Sequence, residues 1–231
     1  MPGWRLAVVI PARNEQQLIG RCLESVQLAA ASSRAQPRPT PVDVVVVADS
    51  CSDDTAAIAR GFAGVTVIET AVANVGAARR IGVAAVLAAS AARTDRLWIA
   101  STDADSVVPP HWLAEQARIA RRGAELMLGT VTPESADLSA EQQEAWSARR
   151  TVGEVHGANL GIRADRYLSV GGFAALAEHE DVDLVARCIA AGVRPVATDG
   201  CDVITSGRQV GRTPGGYARY LRADLLTDPT P

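Results

Sequence analysis

The chain has 231 residues, of which 48% are hydrophobic, 21% charged and 4% aromatic, with 19 Gly, 12 Pro and a formal net charge of -3. This composition excludes a disordered, collagenous or coiled-coil chain, and the length suits one buried core better than two. The absence of a net positive field argues against nucleic acid as a partner, and because all 23 basic side chains are Arg there is no lysine for a Schiff base or a Walker-type phosphate loop.

The longest apolar stretches, such as residues 6–10 and 42–48, fall far short of the ~20 residues that span a bilayer. With no basic segment leading into an apolar signal core, the expectation is a cytoplasmic protein without a transmembrane segment, peripheral membrane association staying open. Cys22, Cys51, Cys188 and Cys201 form no C-x-x-C pair and have no finger-like spacing to His, so they read as reduced packing residues.

In chain order, residues 6–10 form a short apolar run, and Leu18, Ile19, Cys22, Leu23 and Val26 then recur at helical spacing. Residues 32–41 are a surface loop, because Pro37, Pro39 and Pro41 cannot continue a helix. The β-branched run 42–48 predicts a strand buried on both faces, and Ser52, Asp53 and Asp54 offer caps for a short helix to about residue 62. A strand at 65–68, an Ala-rich helix at 76–92 and a strand at 97–100 repeat the alternation, which predicts a doubly wound, mostly parallel α/β sheet.

Beyond Pro109-Pro110 the pattern predicts a helix near 111–121 and a strand near 125–131, after which the polar segment 135–143 breaks the rhythm. A Gly-rich segment at 155–163, a turn at Gly171-Gly172-Phe173, a helix at 181–191, a strand near 193–197 and a Gly/Arg loop before 217–226 complete the chain. The C-terminal half is expected to form a different layer of mixed strand direction. The division is a single domain, 1–231, with one half at about 1–105 and the other at about 106–231.

Ligands of open parallel sheets bind beyond the carboxyl ends of the strands, so polar residues just after apolar runs are the candidates. The first strand ends in Pro11-Ala12-Arg13-Asn14-Glu15, the second in Asp49-Ser50-Cys51-Ser52-Asp53, and the fourth in Asp103-Ala104-Asp105. Clustered carboxylates repel one another in a water-poor cleft unless a cation compensates them. Asp103 and Asp105, two apart on one turn, can share Mg²⁺ or Mn²⁺ with phosphate oxygens of a nucleoside diphosphate, although an Asp-x-Asp pair is by itself more often a turn. Asp49, with Ser52 or Asp53 better placed to cap the helix, is left at the strand tip to accept a base imide N–H.

These segments, together with Asn74-Val75-Gly76-Ala77-Ala78-Arg79 and Glu178-His179-Glu180-Asp181, stand in an order that resembles a family 2 glycosyltransferase of the GT-A fold over residues 6–200. The resemblance implies an inverting, hexosyl-type transferase with a nucleotide-diphosphate sugar donor, UDP-linked by preference, and a hydroxyl acceptor. It implies that Pro11, Ala12, Glu15, Asp49, Gly76, Arg79, Asp103 and Asp105 bind the donor, that Asp105 and Asp103 hold the divalent cation, and that Asp181 is the general base. Glu180 then positions the acceptor, and the resemblance makes 1–105 the nucleotide-sugar-binding half and 106–231 the acceptor-side half. From the residues themselves, the low bulk of the segment 157–161 suits a backbone approaching a sugar and makes Asn159 an acceptor-side sugar contact, although a tightly packed strand explains the glycines equally well.

The chain departs from the family's common pattern at Ala48, where an Asp often precedes Asp49, and at Arg80, where Asn often follows the Arg. Glu180 and Asp181 are also placed to favour a helix N-terminus, and Asp183 competes for the base role unless it pairs with Arg187 four residues on. His156 reads as packed or solvated, Trp146 either stacks on an acceptor or anchors its helix, and Arg208 with Arg212 either closes over a diphosphate or belongs to a solvated loop. Two other functions remain: a nucleotidyltransferase, disfavoured because no Gly-rich loop follows the first strand, and a non-catalytic sugar-nucleotide-binding module. The missing G-x-G-x-x-G turn rules out a dehydrogenase.

Overall fold

The computed structural model describes residues 3–211 and 216–227. Strand β1 (Arg5–Ala12) leads to helix α1 (Ile19–Arg34), β2 (Val42–Asp49) to α2 (Thr55–Arg60), and β3 (Val65–Thr70) to α3 (Val75–Ala89). Next come β4 (Leu97–Ser101), a short β5 (Ser106–Val107), α4 (Trp112–Arg121), β6 (Leu126–Pro133) and α5 (Ala140–Arg149). The last elements are β7 (Leu160–Arg163), α6 (Ala164–Ser169), α7 (Glu180–Ala190), β8 (Val196–Thr205) and a helical turn, Tyr217–Arg219, that widens over Tyr220–Asp224.

The strands form one eight-stranded sheet in the order β3-β2-β1-β4-β7-β6-β8-β5. Strands β3, β2, β1 and β4 are mutually parallel, β7 runs antiparallel to both β4 and β6, and β8 is parallel to β6. The mixed directions expected of the C-terminal half therefore arise within the same sheet, as its continuation beyond β4. The order reverses between β1 and β4, which is where an open sheet leaves a crevice at its carboxyl edge.

The apolar runs are continuous because both sheet faces are covered. Leu6, Val8 and Ile10 of β1 face one cluster with Ile19, Leu23 and Val26 of α1 and Trp112 and Leu113 of α4. Ala7 and Val9 face the other, with Ala78, Val83 and Val86 of α3 and Leu184 and Val185 of α7. Each fully buried Val, Leu or Ile contributes roughly 1.5–3 kcal/mol against exposure, so β1 anchors both layers. Gly82 lets α3 settle on β1, since a Cβ there would come within 2.6 Å of Val9 Cγ1.

Several boundaries differ from those expected, two of them where an element runs into a segment assigned otherwise. Helix α1 runs to Arg34, into the segment assigned to the loop, because Ala29, Ala30 and Ser33 keep its buried stripe going until the prolines intervene. The last strand begins at Val196 and extends to Thr205, past the expected limit of 197, because pairing with β6 and β5 stabilises a segment whose Asp199, Gly200 and Asp202 have poor strand propensity. Cys22, Cys188 and Cys201 are buried free thiols, and Cys51 is partly exposed. No described helix is long and apolar enough to cross a membrane.

Candidate active site

The carboxyl ends of β1, β2, β4 and β8 and the amino end of β7 all open on one edge of the sheet. Between the loops that follow lies a cavity of about 580 Å³, of a size typical of small-ligand sites. Asn14, Ser50, Ala73 and His179, all on this edge, hold positive φ of 49–60° without being glycine. Such left-handed residues persist only where the surroundings over-determine them, and they gather at functional rims.

At the end bounded by Pro11, Ala12 and Arg13, the buried Asp49 carboxylate accepts the backbone N–H groups of Ala73 and Asn74, each at 2.9 Å. Ser50 Oγ also donates to its Oδ1, so Oδ2 retains one lone pair. Asp53, just before the start of α2, accepts from Thr55 N, which leaves Asp49 at the strand tip as expected. Asn74 caps α3 through Ala77 N, placing Arg79 one turn in. Arg80 of the same helix is exposed and does not line the cavity.

Arg79 is buried and joins the two halves of the site. Its Nη2 lies 2.6 Å from Asp103 Oδ1 and its Nε 2.9 Å from Glu180 Oε1, while Nη1 donates to Gly157 O and Ser101 Oγ. Burial pulls its pKa down, but Asp103, Glu180 and Asp181 together push it above the usual value. The guanidinium is thus a fixed positive charge between the acids of the two ends.

Asp103 and Asp105 both line the cavity. Burial first, and then the neighbouring Asp103 charge, push the Asp105 carboxyl up to about 7, against the lowering effect of the Arg208 guanidinium 2.8 Å away. Two oxygen-donor side chains, with no cluster of three acidic, His or Cys ligands among the described residues, fit an ion such as Mg²⁺ or Mn²⁺, which takes its remaining ligands from phosphate and water. In metal-free protein the folded state keeps the Asp105 proton through a pH range where the unfolded chain, with a pKa near ~3.9, has released it. Stability is therefore expected to fall as pH rises from roughly 4 to 7, and Asp105→Asn is expected to remove that slope. Urea midpoints across this range in chelator check it, and parallel curves for the two proteins would count against the shift.

At the other end, Asp181 opens α7, and its Oδ1 accepts only the N–H of the adjacent Val182 among the bonds described. Gly157 allows the opposite loop to come close, since a Cβ there would lie 2.4 Å from Arg79 Nη2 and 3.1 Å from Asp181 Oδ2. Glu180 is buried behind Arg79, its pKa raised by burial and partly offset by that charge. Asp183 is paired with Arg187 at 2.6 Å, so its plain explanation accounts for it. His156 lines the cavity near Glu154, and burial lowers its pKa.

Two residues expected at the ligand stand behind the wall. Asn159 is fully buried, accepts from Trp112 Nε1 at 2.9 Å and donates to Thr130 O and Cys201 O, so it ties α4 to β6 and β8. It is a scaffold residue, and no sugar contact is open to it. Gly76 serves the close approach of the 174–176 segment, where a Cβ would meet Ala174 O at 2.1 Å. Asn159→Ala is expected to lower stability by about 2–4 kcal/mol, measured as a urea midpoint, because a buried indole N–H and two carbonyls lose their partner.

Motif reading missed the aromatic wall. Tyr217 and Tyr220 stack at 6.0 Å and line the cavity, and Trp146 Nε1 donates to Tyr217 Oη at 3.0 Å, so Trp146 anchors this wall. No sequence signal marks it, since it follows a Gly-rich loop. Arg208 also belongs to the site, with Nη1 and Nη2 at 2.8 and 2.7 Å from Glu15 and Nη2 at 2.8 Å from Asp105 Oδ2. Arg212 lies outside the described residues.

An eight-stranded mixed sheet, parallel through β3, β2, β1 and β4 and open at its carboxyl edge, is the fold of the GT-A glycosyltransferases. The sequence model described as glycosyl transferase family 2 matches residues 7–161, and the chain belongs to that family. Among solved structures, Staphylococcus aureus TarS 1–349 in complex with UDP-GlcNAc aligns with a TM-score of 0.66 at 16% identity, over 92% of this chain and 61% of that one. The mannosyltransferase PcManGT from Pyrobaculum calidifontis, in complex with GDP-Man and Mn²⁺, aligns with a TM-score of 0.63 at 20% identity, over 92% of this chain and 59% of that one. A 4,4'-diaponeurosporenoate glycosyltransferase of Staphylococcus aureus strain MRSA252 is 39% identical over 64 residues, which are 28% of this chain and only 14% of that protein.

Proposed function

We propose that the protein is an inverting glycosyltransferase that moves a sugar from a nucleoside diphosphate to a hydroxyl acceptor. The observation that carries this reading is the convergence on one cleft of the Asp103/Asp105 turn and, across from it, Asp181. Asp49 Oδ2, with its remaining lone pair, is suited to a base imide N–H, and uracil is the simplest such base. Pro11 and Ala12 supply an apolar wall for the nucleoside. TarS and PcManGT, in complexes with UDP-GlcNAc and GDP-Man, support a nucleotide sugar as donor.

Asp103 and Asp105 would hold a divalent cation, an ion that when bound supplies positive charge to the leaving diphosphate. Asp181, half-exposed in the cleft and free of any ion pair among those described, takes the proton of the attacking acceptor hydroxyl as the new glycosidic bond forms. Displacement from the face opposite the leaving group inverts the anomeric carbon. Arg79 holds Asp103 and Glu180 in place, and the Gly157 loop keeps Asp181 close to the reaction centre.

Thermal melting with UDP, GDP, CDP or dTDP, each with Mn²⁺, Mg²⁺ or chelator, tests the donor side, because a ligand of the folded state raises its melting temperature by mass action. One diphosphate is expected to stabilise the protein with metal and much less in chelator. No response to any of them would transfer the weight to a cleft that no longer binds nucleotide sugars.

A further inference from the structure

Arg208 holds an unusual position for a residue of a glycine-flanked loop. Its guanidinium is bidentate on Glu15 and also reaches Asp105 Oδ2, the side chains being 27%, 6% and 14% exposed respectively. The base of the arm is fixed: Gly207 N donates to Asp137 Oδ2 at 2.9 Å, and a Cβ on Gly207 would lie 2.7 Å from Asp137 Cβ. Among the described residues, Arg208 is the side chain in ion-pair contact with Asp105, and Arg79 is committed to Asp103 and Glu180.

We propose that Arg208 is an internal counter-cation for the metal turn: it holds Asp105 and Glu15 in the metal-free protein, and a divalent cation must displace it from Asp105 to bind. The inference rests on the metal-binding role proposed above for Asp103 and Asp105. Its physical basis is competition, since the Asp105 oxygen held at 2.8 Å by a guanidinium cannot also accept an ion without bringing two positive charges into close contact. A nucleoside diphosphate offers the displaced guanidinium an anionic partner with fork geometry. Metal and donor are therefore coupled through this residue, each lowering the cost of binding the other.

Mn²⁺ binding without nucleotide, followed by the electron paramagnetic resonance signal of the free ion, tests this on the intact chain without recourse to turnover. Arg208→Gln is expected to tighten Mn²⁺ about tenfold and to shrink the factor by which added UDP tightens it further. Arg208→Lys, which keeps the charge but not the bidentate fork, is expected to lie between Arg208→Gln and wild type. The double variant E15Q/R208Q does not strand the buried Glu15 carboxylate and repeats the measurement should Arg208→Gln fail to fold by circular dichroism.

Unchanged or weaker Mn²⁺ binding in folded Arg208→Gln, with Asp105→Asn abolishing binding, overturns the role of Arg208 and leaves the metal site standing. Mn²⁺ binding that survives in Asp105→Asn, or is absent from all variants, overturns the metal site and this inference with it.

Discussion

Asp181→Asn is expected to lower kcat by roughly 10³-fold while leaving the KM for the donor close to its wild-type value, the size of loss that follows removal of a positioned general base. The substitution keeps the shape of the side chain and its contact with Val182 N, and Asp181 takes part in no ion pair described in the structure, so stability should hardly change. Asp183→Asn is the companion variant. It breaks the pair with Arg187, whose guanidinium also holds Val170 O and Gly172 O, and is expected to affect stability more than rate. Single-turnover transfer assays with matched melting curves separate the two acids, and near-normal turnover by Asp181→Asn would transfer the base role to another group.

The second large effect is expected from Asp105→Asn. Loss of the carboxylate with a pKa near 7 should abolish metal-dependent stabilisation by the nucleoside diphosphate and cut transfer by at least about 10³-fold, some 4 kcal/mol of barrier at 1.36 kcal/mol per decade. The same variant should be more stable than wild type in chelator at pH 8, because burial and the Asp103 charge weigh more on the ionised carboxylate than its contact with Arg208 offsets, and Arg208 keeps its pair with Glu15. A rise in metal-free stability together with a loss of metal response cannot come from general damage to the fold. If the variant kept full metal-dependent transfer, the cation would have to bind elsewhere.

The residues whose positions were legible in the chain are those at strand ends. Pro11, Ala12, Glu15, Asp49, Asp103 and Asp105 each follow a short apolar run, and the alternation of strand and helix obliges parallel strands to end on one edge. The place of Asp181 at a helix start was legible, while its candidate role came from the motif order that resembles the family. For Asn159 and Gly76 the sequence leaves the choice open, because a small or amide residue beside glycine looks the same whether it approaches a ligand or the scaffold. Only the bonds of Asn159 to Trp112, Thr130 and Cys201, and the contact of Gly76 with Ala174 O, distinguish the two.

The sequence by itself determined the alternating α/β layout, the double burial of β2 and the strand-end acids, because period, propensity and apolar runs are local properties of the chain. Tertiary structure alone decided that β8 reaches Thr205, that Arg79 bridges Asp103 to Glu180, and that Arg208 crosses from the last loop to Glu15, 193 positions away in sequence. Such pairings depend on which strands become neighbours, and a poor strand former or a loop arginine carries no mark of its partner until the sheet has brought the two together.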